Sequence, residues 1–207
     1  MVLSRLFRRR KPNPLWDHFI NTPPSDPKND MIASLRDAPD GMVFPSKTNN
    51  EDPAETASAV MALALWWGAD LVGIVALEPG SDLATPVLSG EHEGSAEEAT
   101  GRDAQPYLFA IVSAVFSDHD PAAASGLGGQ QAVQKGAVVN HYLGAYIREL
   151  GFRATNSQAD PLSLAQAAGL GRAGANGRLI TRAKAAHVHL AGVVVTDLPL
   201  VANEGFV

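Results

Sequence analysis

The chain contains no cysteine in its 207 residues. Disulfides, zinc–thiolate sites and thiol nucleophiles are therefore excluded, as are iron–sulfur clusters held by the chain's own thiolates. A continuous membrane-length apolar run is missing too. Residues 60–77 come nearest, with Asp70 as their one charge, but Gly68-Ala69-Asp70 divides them into a helical half and a strand-like half. They read as the core of a soluble domain rather than as a span. The body also lacks net positive charge. Residues 1–11 carry five basic side chains and no acid, so the net charge of −6 leaves −11 on the rest. Binding a phosphate backbone needs a basic face, which argues against nucleic acid as a partner. No apolar stretch follows the basic arm; Pro12 and Pro14 come instead. Neither a secretory nor a twin-arginine leader is read from it, and a cytoplasmic location is expected. There is no internal repeat and no low-complexity segment.

Hydrophobic residues make up 45% of the chain, enough for one domain with a sizeable core. Two regions are expected. Residues 1–53 comprise the basic arm, read as a solvated tail or as a contact for an acidic partner or membrane surface, and a Pro/Asn/Asp-rich wrapping segment. That segment is expected to be extended apart from a short helix through Arg36 capped by Asn29 or Asp30, with Trp16 and Phe19 pinning it to the body or to a second subunit. Residues 54–207 are expected to form a single α/β domain. Asp52 suits an N-cap, Pro53 a first helical position and Glu55 the positive helix end, with the helix reaching Trp67 and stopping at Gly68. Strands are predicted over 71–77, 107–116 and 153–157 and through Val193-Val194-Val195. Helices are predicted over 130–150, with Gly151 as its C-cap, and over 162–168. The polar stretch 78–105 reads as a long loop, a lid or an interaction surface. Alternating helical and strand patterns define an α/β class with a central sheet flanked by helices.

The chemistry concentrates after residue 168. Gly169, Gly171, Gly174 and Gly177 precede Leu179-Ile180-Thr181, and Arg172, Arg178, Arg182 and Lys184 make this the basic patch of the body. Gly169-x-Gly171-x-x-Gly174 matches a dinucleotide fingerprint, but that motif needs a strand before it and a helix after it. Here the order is reversed, so the match is not taken as nucleotide binding. Other candidates are weaker. Glu91, Glu93, Glu97, Glu98 and His92 lack a fixed ligand spacing and read as a solvated acidic loop. Asp118-His119-Asp120 follows a predicted strand, where ligands often sit. His187 and His189 share a strand face, but no third metal ligand can be placed. His141 is expected at the core or its edge. Tyr142 and Tyr146 lie one helical turn apart and can pack or stack. No metal site is expected.

The ordered set Gly169-Leu170-Gly171, Gly174, Gly177, Leu179-Ile180-Thr181 and Val195-Thr196-Asp197-Leu198-Pro199-Leu200 resembles the cobalamin-binding domain of the reductive dehalogenase and epoxyqueuosine reductase family. Asp160-Pro161-Leu162, the run from Tyr142 to Ala154 and the run from Ala69 to Ile74 fit the same pattern. The resemblance covers about residues 55–200 and implies a nitroreductase-like α/β sandwich. It also implies cobalamin, or a flavin as in related folds, with Gly169, Gly171, Gly174, Gly177, Leu179, Ile180 and Thr181 close to the cofactor. Two positions depart from the family: Arg172 stands where an acid is common, and Arg182-Ala183-Lys184-Ala185 replaces Pro-Glu-Phe-Gly. The family's cysteine-rich module follows the Thr-Asp-Leu-Pro-Leu segment, and it is not expected from these 207 residues, which hold no cysteine. No proton donor can be matched residue by residue, leaving Tyr107, Tyr142, Tyr146 and Asp160 as candidates. Three roles stay open: a reductase needing a separate electron-donor protein, a cobalamin carrier or regulator, and a non-catalytic accessory or structural subunit of a larger complex. Homo-oligomerisation is a further possibility.

Overall fold

The computed structural model describes residues 13–36, 38, 40–49, 52–84, 105–182 and 187–203. The basic arm, the acidic stretch around His92 and Lys184 lie outside the described residues. In chain order the elements are α1 (Pro14–Asn21), α2 (Met31–Arg36), α3 (Pro53–Trp66), β1 (Leu71–Ala76), β2 (Phe109–Phe116), α4 (Gln131–Glu149), β3 (Ala154–Ser157), α5 (Pro161–Ala167), β4 (Arg172–Ala173), β5 (Leu179–Ile180) and β6 (Val188–Thr196). The fold is mixed α/β. Four strands form one antiparallel sheet in the order β1-β2-β6-β3, and β4 and β5 form a separate small hairpin.

Strand alternation builds the layers. On one face Ile74, Ile111 and Val194 pack with Val60 and Ala64 of α3 and with Val139, Leu143 and Ile147 of α4. On the other, Ala110, Val112, Val193 and Val195 pack with Leu164, Ala165 and Ala168 around α5 and with Leu179. The sheet is thus the shared wall of two cores. Full burial of a side chain such as Ile111 or Leu143 contributes about 1.5–3 kcal/mol.

A β-bulge keeps β6 in phase with both layers. The β2–β6 register shifts between Ser113 and Ala114, leaving Ala191 as the extra residue, and Gly192 supplies the required φ of 123°. Val188 and Leu190 face α5 before the bulge; Val193 and Val195 face it afterwards. Strict alternation would have turned one of these pairs to the wrong layer. Asn140 of α4 holds the bulge: its Nδ2 donates to the Ala191 carbonyl at 2.9 Å and its Oδ1 accepts from Ser113 Oγ at 3.1 Å.

Local signals explain most element ends. Asp52 Oδ1 accepts from the Ala54 N–H at 2.7 Å, capping α3. The helix α4 closes on Gly151, whose N–H reaches the Arg148 carbonyl, while the Phe152 N–H reaches that of Ile147. The wrapping segment is more helical than expected. Asn13 caps α1 with Pro14 at its first position, which is itself a helix-start pattern. The Phe19 and Ile20 carbonyls at the end of α1 accept from the N–H groups of Gly128 and Gly126, so this end of the helix is held on the body, whereas Trp16 is 53% exposed and meets Phe19. Asp30, not Asn29, caps α2. Further on, Phe44 and Thr48 donate to the carbonyls of Arg148 and Leu150, and Arg148, 6% exposed, pairs with Asp40 at 2.8 Å.

Beyond β6 the chain returns to the free side of β1. The Ile74 N–H donates to Asn203 Oδ1 at 2.6 Å, and the Asn203 N–H donates to the Ile74 carbonyl at 2.9 Å. Among the described residues no helix is long and apolar enough to cross a membrane.

Candidate functional site

The glycine-rich stretch forms one wall of a cavity of about 680 Å³ at the sheet end where β1 begins. That volume lies within the range of small-molecule sites. Its lining is Leu71, Gly169, Leu170, Gly171, Arg172, Ile180, Thr181 and Arg182. The sequence-predicted Gly169, Gly171, Ile180 and Thr181 therefore come together. Leu179 lies beneath them, 2% exposed in the α5-side core, and Gly174 and Gly177 sit in the β4–β5 turn.

Local chemistry sets this wall. Gly169, at φ 73°, ends α5: its N–H reaches the Gln166 carbonyl and the Leu170 N–H reaches that of Ala165. Gly177, at φ 71°, closes the hairpin through a bond from its N–H to the Gly174 carbonyl. The left-handed conformation of these two glycines is thus demanded by a helix cap and a turn. A helix precedes the fingerprint-like spacing and a hairpin follows it, the reverse of the dinucleotide arrangement. What the cavity offers a ligand is an apolar floor of Leu71, Leu170 and Ile180, the half-buried backbone of Gly169 and Gly171, and the guanidinium-bearing Arg172 and Arg182 at its rim.

A second feature lies beside it. Arg178, on the hairpin, pairs with Asp120 at 2.8 Å. The Arg178 guanidinium, helped by the Ala122 N–H, holds the Asp120 carboxyl below the usual carboxylate range. Asp120 and His119 also line an open groove against α1, with Trp16 and Asp17 on its far side. The Asp-His-Asp cluster thus meets the glycine hairpin through Asp120. Sequence spacing gave no sign of this pairing, because 58 residues separate its partners.

The remaining candidates do not converge on the cavity. Asp160 caps α5, accepting from the N–H groups of Leu162 and Ser163 at 3.1 Å each. Those two bonds keep its carboxyl below the ordinary range, so it stays ionised at neutral pH and is poorly suited to donate a proton. Tyr107 lies under the Arg153 guanidinium, 4.9 Å from its ring centroid, at the far end of β2. Leu71 and Ala76 bound the intervening β1–β2 ladder, about 17 Å long at strand rise. Tyr142 is on the opposite face of the sheet, stacked on Trp67 at 5.9 Å, with Tyr146 edge-on to the same indole. Trp66 and His141 extend that aromatic cluster. His189 is half-buried beside Gly136 of α4, and its partial burial pushes its pKa down. Among the described residues no three His, Asp or Glu side chains gather to hold a metal ion.

No family model matches the chain, and no curated protein matches it either. Solved structures do. A variant of the catabolic reductive dehalogenase NpRdhA superposes with a TM-score of 0.59 and 27% identity, over 85% of this chain and 24% of its own. A reductive dehalogenase associated with B12-dependent dehalogenation gives 0.56 and 26%, over 85% of this chain and 23% of its own. Epoxyqueuosine reductase in complex with a tRNA stem loop gives 0.47 and 13%, over 74% and 48%. The chain therefore has a fold related to part of the reductive dehalogenases, and it spans about a quarter of their length.

Proposed function

We propose that this chain is a cobalamin-binding, reductive-dehalogenase-like domain that depends on a separate protein for electrons. The observation that carries the reading is the coincidence of that fold relationship with a cavity built from the stretch that resembles the cobalamin-binding segment. Bound cobalamin would supply redox-active cobalt in a corrin ring. Leu71, Leu170 and Ile180 would cover apolar ring surface, the backbone at Gly169 would allow close approach, and Thr181 would contact the amide fringe; Gly171 would act by letting the Ile180 carbonyl close against it, since a Cβ there would clash with that oxygen. Arg172 and Arg182 suit the phosphate of the nucleotide tail, because guanidinium groups bind phosphate through paired hydrogen bonds. Gly174, Gly177 and Leu179 would act one step back, by shaping and seating the hairpin. These 207 residues hold no cysteine, so an iron–sulfur relay would have to be supplied from outside them. None of Tyr107, Tyr142 and Asp160 lines the cavity, so none of the three is proposed as a proton donor to a ligand held there.

The test is an absorbance spectrum before and after incubation with hydroxocobalamin and desalting. A retained corrinoid band with a base-off shift supports the reading. Retention of flavin instead would redirect it to the runner-up cofactor, and retention of neither would overturn both. An accessory subunit of a larger complex is the second reading. It is favoured by the exposed aromatic cluster, where Trp66 is 79% and Tyr142 50% accessible.

A further inference from the structure

We infer that Asp120 is a positioning residue for the cavity: through Arg178 it fixes the β4–β5 hairpin that forms the cavity wall. The inference rests on the reading of that cavity as the ligand site.

Asp120 is a firm anchor. Its backbone carbonyl accepts from the N–H groups of Ala123 and Ala124 at 3.0 and 2.8 Å, and its Oδ1 accepts from Ala122 at 3.1 Å. Gln130, at the start of α4, closes the same turn by donating Nε2 to the carbonyls of Pro121 and Ala124, each at 2.7 Å. The remaining oxygen, Oδ2, is directed at Arg178 Nη2. The turn itself is tied to the sheet end where β2 finishes and β6 begins, because the Ser117 N–H donates to the His187 carbonyl at 2.9 Å.

The hairpin is the less anchored partner. Its strands have two residues each, and its inward anchor is Leu179. Arg178 is the neighbour of Leu179 and the hairpin residue that reaches the Asp120 turn. Arg172 and Ile180, which line the cavity, are paired across the same hairpin. Loss of the Asp120 contact would let that pair move while Leu179 remains seated. The bond is partly exposed, with Arg178 at 42% and Asp120 at 27% side-chain accessibility. Its effect is therefore graded, about two- to five-fold in an opening equilibrium.

The hairpin carries its own reporter, since Arg172, Arg178 and Arg182 are trypsin sites. In the full chain, D120N leaves all three intact while removing the charge. Native-state trypsin cleavage at these positions, followed by mass spectrometry, is expected to rise roughly two- to five-fold in D120N. Cleavage should return towards wild type in D120E, and about 1 M NaCl should accelerate the wild type towards D120N. Hydroxocobalamin affinity should fall by a similar factor in D120N. Unchanged cleavage in D120N, or failure of D120E to restore protection, overturns the positioning role. Wild-type protein that shows the cleavage pattern but retains no corrinoid overturns the cofactor reading and leaves the role of Asp120 standing.

Discussion

Replacing Asn140 with alanine tests the join between the helical layer and the sheet. Asn140 is 8% exposed and Ser113 1%. The substitution removes the acceptor for the Ser113 hydroxyl and the donor for the Ala191 carbonyl, leaving two polar groups in a site that water reaches poorly. Each buried group left unpaired costs about 1–3 kcal/mol. Relaxation and some water entry reduce the sum, so the expected loss is about 2–4 kcal/mol. For a chain of this size that corresponds to a fall in Tm of roughly 5–15 °C. The assay is urea unfolding together with thermal melts on wild type, Asn140→Ala, Ser113→Ala and the double variant. The two single changes should be non-additive by about 0.5–1.5 kcal/mol, because each already breaks the shared bond. Hydrogen exchange should quicken at residues 188–192, where the bulge turns β6 towards the hairpin. A Tm within about 2 °C of wild type, or strict additivity, would refute the claim that this contact holds the bulge.

Asp52→Ala should cost about 1 kcal/mol and lower Tm by about 2–4 °C through loss of the α3 cap, measured by the same melts. His189 gives a pH dependence. Burial lowers its folded pKa below the ordinary 6.5, so its contribution is complete above that value and is lost as pH falls from about 6.5 towards the depressed value, where the unfolded chain binds the proton first. Melts from pH 8 to 5.5 should show a shallower decline in His189→Gln than in wild type; parallel curves would count against this. If the cavity takes cobalamin, Arg172→Ser and Arg182→Ser should each weaken retention by roughly ten-fold, equivalent to about 1.4 kcal/mol, with the loss shrinking at high salt; equilibrium titration by absorbance reads the effect.

The capped helices and apolar strands of the body were legible because each depends on a short-range signal. Asp52-Pro53, Leu150-Gly151 and the Val-rich run of β6 carry theirs within a few residues. Helix α1 was readable in Asn13-Pro14 but was masked by the surrounding proline- and asparagine-rich composition. The bulge was foreshadowed by Gly192, yet its consequence for facing depends on Asn140, which lies 51 residues from Ala191. The cavity followed the same rule. Its glycines and basic residues stood out together, whereas Leu71 joins them only because β1 begins beside the C-terminal end of α5. The wide separation of Tyr107, Tyr142 and Asp160 is equally a product of topology: two faces and two ends of one sheet divide residues that looked like alternatives for a single role.

The pairing of Asn203 with Ile74 has a practical meaning for anyone handling this protein. An outer strand with open amide and carbonyl groups invites strand addition from another copy, the usual beginning of fibrils and domain exchange. One asparagine occupies both groups at the middle of β1, and β3, on the other margin, spans only four residues. Growth by sheet continuation is thereby discouraged on both sides. A truncation at residue 200, or a tag fused tightly behind Ala202, would uncover the β1 margin and trade an orderly preparation for an aggregating one, although every catalytic or ligand-binding candidate would still be present.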